Sequence, residues 1–181
     1  MKRLPFKDAL ISVLTTARLF LRHFHIFDAE AMMAVFGDPE VMRFGDGVQT
    51  REWVQNWIST CLQRYHQTWG FGPYAVIEQQ RPELLGYCGL FYFPDIGGQP
   101  EVEIGYRLRR SAWGQGFATE AARAVRNYAF HPLGLQRLIA LIDPSNTAST
   151  RVAEKIGMHY ERDVMLPGYT HPDRLYAISR G

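Results

Sequence analysis

The residues best suited to chemistry fall between Glu101 and Ala122, EVEIGYRLRRSAWGQGFATEAA. In Trp113-Gly114-Gln115-Gly116-Phe117-Ala118 two glycines lie one residue apart. Phe117, Ala121, Val125 and Tyr128 then recur at helical spacing, so a helix begins near Gly116. The first N–H groups of a helix have no partner within it and the helix dipole is positive there, so this turn suits an anion, most often phosphate. Gly114 and Gly116 let such a group approach the main chain closely. Gly-x-Gly in this setting is equally compatible with a plain tight connection. Metal chemistry finds little support: the six histidines include no pair at a ligating spacing, and Cys61 and Cys88 lie far apart, as buried reduced thiols would.

The turn needs a strand before it. Val102, Ile104, Tyr106 and Leu108 alternate with Glu101, Glu103, Gly105 and Arg107, the period of a strand with two unlike faces. Upstream, residues 1–15 show no clear period and read as a lightly ordered arm, followed by an edge strand over Thr16–Phe24. Asp28 is expected to cap a short helix that ends at Gly37-Asp38-Pro39. Thr50 caps a second, in which Trp53, Val54, Trp57, Ile58, Cys61, Leu62 and Tyr65 share helical spacing. Strands follow over Tyr74–Glu78 and Leu84–Phe93, joined by a hairpin turn at Gln79-Gln80-Arg81-Pro82, so antiparallel neighbours are expected. After the helix at Gly116 come a strand over Arg137–Ile142 and a helix with Ser149, Val152, Ala153 and Ile156 on one side, closed by Gly157. Two more strands lie around Leu166-Pro167-Gly168.

Length and composition bound the answer. The 181 residues suffice for one domain, 1–181, and 46% apolar with 21% charged residues is ordinary globular usage. A formal charge of +2 is too balanced to argue for nucleic acid and none is expected as partner, no run is apolar enough for a membrane span, and Pro5, Lys7 and Asp8 interrupt the N-terminal apolar patch before signal-peptide length, so a cytoplasmic protein is expected. A dinucleotide fold is disfavoured, because Thr119 stands where a third glycine belongs and the unit follows antiparallel strands.

Trp113-x-x-Gly116-x-Ala118 resembles the acyl-CoA signature of the GNAT superfamily of N-acetyltransferases, with tryptophan where that motif has Gln or Arg. Thr16–Arg22, Asp28-Ala29-Glu30, Asp38–Met42, Glu103–Tyr106, Asn146-x-x-Ser149 and Glu154–Met158 look like its RimJ/RimL-type branch, in the right order over nearly the whole chain. The resemblance implies a mixed α/β fold: a mostly antiparallel seven-stranded sheet, splayed at its centre and flanked by about four helices. It implies acetyl-CoA as cofactor, with pyrophosphate on backbone N–H groups from Gly114 and Gln115 to Ala118 and the pantetheine arm on main-chain groups of Tyr106 and Leu108. A backbone N–H near Tyr106 would polarise the thioester carbonyl.

Within that frame Glu103 is the candidate base, against the alternative of a glutamate making a structural hydrogen bond. Ser149 would hydrogen-bond the departing thiolate and Asn146 would hold pantetheine, although both types also suit a helix cap. Arg109, Arg110, Arg151 and Lys155 could meet phosphates or stand as solvated charges. The activity implied is acetyl transfer to a primary amine, either a protein N-terminal α-amine or a small molecule, in a ternary complex. A homodimer is compatible with it. The alternative is a non-catalytic acyl-CoA sensor of the same fold.

Overall fold

A computed structural model describes residues 12–181. The rest of the expected N-terminal arm, residues 1–11, lies outside them. The strands are Ser12–Thr15 (β1), Leu19–Arg22 (β2), Pro73–Glu78 (β3), Leu84–Phe93 (β4), Glu101–Leu108 (β5), Arg137–Ile142 (β6), His159–Val164 (β7) and Asp173–Ser179 (β8). The helices are Ala29–Phe36 (α1), Pro39–Met42 (α2), Arg51–Thr60 (α3), Phe117–Phe130 (α4) and Thr147–Lys155 (α5). A π-helical segment, Cys61–His66, and a last turn, Gln67–Trp69, prolong α3.

All eight strands form one open sheet in the order β1-β2-β3-β4-β5-β6-β8-β7. Every neighbouring pair is antiparallel except β5 and β6. The expected mixed α/β fold, with a mostly antiparallel sheet flanked by about four helices, is therefore present, and the described residues add one strand to the seven expected. The extra strand, Ser12-Val13-Leu14-Thr15, is too short to show a period. The tight turn that follows, where Thr16 N–H bonds Leu19 O at 2.9 Å, folds it onto β2. Consequently β2 is not the edge strand expected over Thr16–Phe24 but lies inside, between β1 and β3.

The sheet has two covered faces. On one, α4 and α5 place Phe117, Ala121, Val125, Ala153 and Ile156 against Leu19, Leu90, Ile104 and Leu138. On the other, α1, α2 and α3 place Met32, Phe36, Met42 and Ile58 against Ala75, Ile77 and Tyr87. A smaller cluster of Ile96, Ile139, Val164, Leu175 and Ala177 lies apart from both. Cys61 and Cys88 are buried free thiols, as expected.

Local signals decide the helix ends. Thr50 accepts from Trp53 N–H, and Asp38 accepts from Glu40 and Val41 N–H at the start of α2. Asp28 departs from its expected capping role. Its carboxylate takes Arg22 at 2.7 and 2.8 Å and the His25 N–H at 2.7 Å, and it makes no side-chain cap to α1. A nearby cation and an extended N–H outcompete the helix end for the same two oxygens.

Candidate active site

The site is built on a fork between β5 and β6. At its closed end the two strands are pinned together. Glu101, 4% exposed, accepts from Arg137 Nε at 3.1 and 3.2 Å, and Glu103 pairs with Ile139 in parallel register. Among the described residues the two strands share that one register pair, and beyond it they diverge. Arg137 also bonds Glu161 through both terminal nitrogens, tying β7 to the same point. Opening the fork frees main-chain groups of both strands, which need other partners.

Glu103 supplies one. Its Oε1 accepts from Leu141 N–H at 3.2 Å, so the side chain spans the gap where the ladder would have continued. The structural hydrogen bond weighed for this residue therefore exists. It does not leave the carboxylate an ordinary one. Burial pushes the Glu103 pKa up to about 7, with the Leu141 N–H and the Arg107 charge pulling against it and the Asp173 charge adding to it. A carboxylate with a pKa near neutrality can take and release a proton under ordinary conditions.

The opposite face of β5 carries the second pair. Alternation sends Tyr106 to the α4/α5 side, where its hydroxyl donates to Ser149 Oγ at 3.2 Å. Burial raises the Tyr106 pKa to about 12, so the phenol stays protonated and remains the donor. Ser149 Oγ, already accepting from tyrosine, has its own hydrogen free for a third group. Asn146 holds this residue in place: it caps α5 by accepting from Ser149 N–H at 3.1 Å. Base and hydroxyl pair thus lie on opposite faces of the sheet, with the open fork between them.

The main chain of β5 faces the fork as well. Arg109 N–H bonds Leu85 O across to β4, and the β4–β5 register runs without a bulge. By alternation, the N–H and C=O of Tyr106 and Leu108 point the other way, into the fork. The Leu108 carbonyl is already taken, by Trp113 Nε1 at 2.8 Å. The tryptophan therefore pins the turn to the end of β5, and the groups open to an added strand are those of Tyr106 and the Leu108 N–H.

After β5 comes a 3-10 turn, Arg110–Ala112, and then the glycine turn. Gly114 and Gly116 have φ of 73° and 81°, a region other residues rarely adopt, and Gly116 is the N-cap of α4 with no side-chain cap. The N–H groups of Gln115, Gly116, Phe117 and Ala118 bond no acceptor among the described residues. They form a concave set of donors at a positive helix end, the arrangement that holds phosphate.

The other expected residues are dispersed. Arg109 pairs with Glu83, and Arg110 is exposed on the rim of a surface concavity of about 480 Å³ shared with Met33, Asp38 and Glu40. Neither Glu103 nor Ser149 lines that concavity. Arg151 and Lys155 are exposed on α5.

Arg18 was overlooked by sequence reasoning and belongs to the turn. Its guanidinium donates to Gln115 O at 2.9 Å, pairs with Glu120 at 2.6 Å and lies 4.5 Å over the Phe117 ring. Glu120 also accepts from Thr16 Oγ1 and Arg18 N–H. The contact spans about half the chain, so no local spacing in the sequence predicts it. The acidic group Asp143, His171 and Asp173 at the ends of β6 and β8 was likewise unforeseen.

Comparison with known proteins agrees with this geometry. Residues 18–159 match the family model "Acetyltransferase (GNAT) domain". The chain is 41% identical over 156 residues to the uncharacterised protein YkkB of Bacillus subtilis, covering 83% of this chain and 87% of that one. It is 31% identical over 183 residues to the Aspergillus fumigatus FsC-acetyl coenzyme A-N(2)-transacetylase, covering 92% and 76%. The crystal structure of a GNAT-family acetyltransferase from Bacillus anthracis superposes with a TM-score of 0.77 at 32% identity, covering 92% of this chain and 97% of the other.

Proposed function

The chain belongs to the GNAT acetyltransferase family, and from that premise we propose that it moves an acetyl group from acetyl-CoA to a primary amine by direct attack across the fork between β5 and β6. The family uses acetyl-CoA, which supplies the acyl group as an activated thioester. The observation that carries this reading is the disposition of Glu103 and the Tyr106–Ser149 pair on opposite faces of one open fork.

Each group has a task there. The N–H groups of Gln115 to Ala118 hold the pyrophosphate, and Arg18 keeps that turn in shape through Gln115 and Glu120. The open main chain of Tyr106 and the Leu108 N–H pair with the amide groups of the pantetheine arm, as an added strand would. Glu103, reached from the α1–α3 side, accepts the proton that the attacking amine gives up as its C–N bond forms. The bond to sulfur breaks toward the other side, where Ser149, held by Tyr106 and Asn146, donates to the thiolate. Assignment to the RimJ/RimL-type branch rests on the motif order. For the acceptor, the Aspergillus relative's name, an N(2)-transacetylase, supports a nitrogen nucleophile, and both a small-molecule amine and a protein N-terminus meet that description.

The test is thiol release from acetyl-CoA in the presence of free amines and, separately, of peptides with different first residues. Turnover with a free amine is expected. Binding of acetyl-CoA with no turnover of any amine would replace this reading with the non-catalytic sensor.

A further inference from the structure

Asp173 opens β8 and is 9% exposed, yet its carboxylate has no hydrogen bond or ion pair among the described residues. A buried carboxylate without a partner is costly, and such groups are rarely left so. Its surroundings add negative charge. Ligand atoms of Asp143, His171 and Asp173 lie within 4.8 Å of one another. Asp143 is already engaged, accepting from Ser145 N–H and Oγ at 2.7 and 2.5 Å, and stands 3.4 Å from the half-exposed His171. Asp173 accepts no such bond, and the His171 charge acts on it only from a greater distance.

The place of this cluster gives it a use. Register and alternation put Asp173 on the same sheet face as Leu175 and Ala177, and Glu103 projects to the face opposite Tyr106, where it reaches Leu141. Asp143 stands two residues beyond Leu141 on the chain leaving β6, so at about 3.3 Å per residue it is roughly 7 Å from the main-chain group that anchors Glu103. The cations acting on the cluster are the half-exposed His171 and Arg43. Arg107 serves Glu103 and Tyr169.

We propose that Asp173, with Asp143, is a subsite for a second positive charge on the acceptor, so that the enzyme's substrates are α,ω-diamines and related compounds with an ammonium group spaced from the reacting amine. This rests on the acetyl-transfer reading above. With the reacting nitrogen beside Glu103, the distal ammonium of such a molecule reaches Asp173 and gives it the partner the fold withholds. A monoamine of equal length leaves the carboxylate unpaired.

The test compares kcat/KM for n-pentylamine and cadaverine, which differ by one terminal ammonium, with acetyl-CoA and a chelator present. The wild type is expected to favour the diamine by about tenfold to a hundredfold, the worth of a hydrogen bond to a charged group. Asp173→Asn is expected to bring the ratio close to one. Because the ratio is taken within one variant, a general loss of folded protein does not move it. Asp143→Asn serves as the second variant, with a smaller fall. Equal use of both amines by the wild type, or no turnover of cadaverine by an enzyme that acetylates other amines, would overturn the subsite while leaving acetyl transfer intact, whereas no turnover of any free amine or peptide would overturn both. Stabilisation by Mn²⁺ alone that disappears in Asp173→Asn would mean the cluster is a metal site and would also overturn the inference.

Discussion

Replacing Glu103 with glutamine separates its two properties, because the amide keeps an oxygen for the Leu141 N–H and loses the titrating group. Moving the carboxyl from 4.5 to about 7 corresponds to on the order of 3 kcal/mol, at about 1.4 kcal/mol per pKa unit. Because the folded-state pKa is raised, the proton bound to Glu103 favours the fold. That contribution is complete below pH 4.5 and is lost as the pH rises through about 7. Glu103→Gln should therefore gain stability relative to wild type between those limits, by up to about 3 kcal/mol, read from denaturant melts at pH 4.5 and 8. Catalysis should move the opposite way. Wild-type kcat/KM should rise with pH through about 7 as Glu103 ionises, superimposed on deprotonation of the amine. The variant should lose that limb together with roughly 10²- to 10⁴-fold in rate. A variant that keeps the limb near 7, or that retains most of its rate, would refute the role given to Glu103. A stability difference that does not change with pH would refute the burial argument.

Tyr106→Phe and Ser149→Ala should each lower kcat by about tenfold to a hundredfold, with the double variant little worse than either, since the two hydroxyls act as one unit. Gly116→Ala forces a side chain onto a φ of 81°; it should cost about 1–2 kcal/mol in melts and raise KM for acetyl-CoA while leaving the amine KM alone. Arg137→Ala strands Glu101, 4% exposed, without its cation and should lower stability by roughly 3–5 kcal/mol, with unchanged melts arguing against the closed end of the fork as described.

Much of this was legible in the chain. The alternation over Glu101–Leu108, the Gly114-x-Gly116 turn, the start of α4 and the Thr50 and Asn146 caps are local, and each depends on residues within a few positions of one another. What the chain concealed is long-range. Arg18 meets Gln115 across 97 positions, and Glu101 meets Arg137 across 36. Neither pairing leaves a periodic trace. Asp28 shows a local rule losing to a tertiary partner: as a residue type it suits a cap, but Arg22 holds both its oxygens. Trp113 read as a departure from a motif, and in the structure its indole replaces a charge with a bond to the Leu108 carbonyl. Of the two carboxylates of greatest chemical interest, only one stood out in the chain. Glu103 was singled out by its strand, whereas Asp173 resembled any loop aspartate until the fold enclosed it.

The central claim is that the fork and the glycine turn together receive acetyl-CoA. Thermal unfolding of the protein with and without acetyl-CoA tests it most directly, since a ligand at about 100 times its dissociation constant adds about 2.7 kcal/mol to stability, or roughly 5–10 °C for a chain of this size. The account predicts such a rise for the wild type, a similar rise for Glu103→Gln, and a much smaller one for Gly116→Ala. No rise in the wild type, or a full rise in Gly116→Ala, would contradict it.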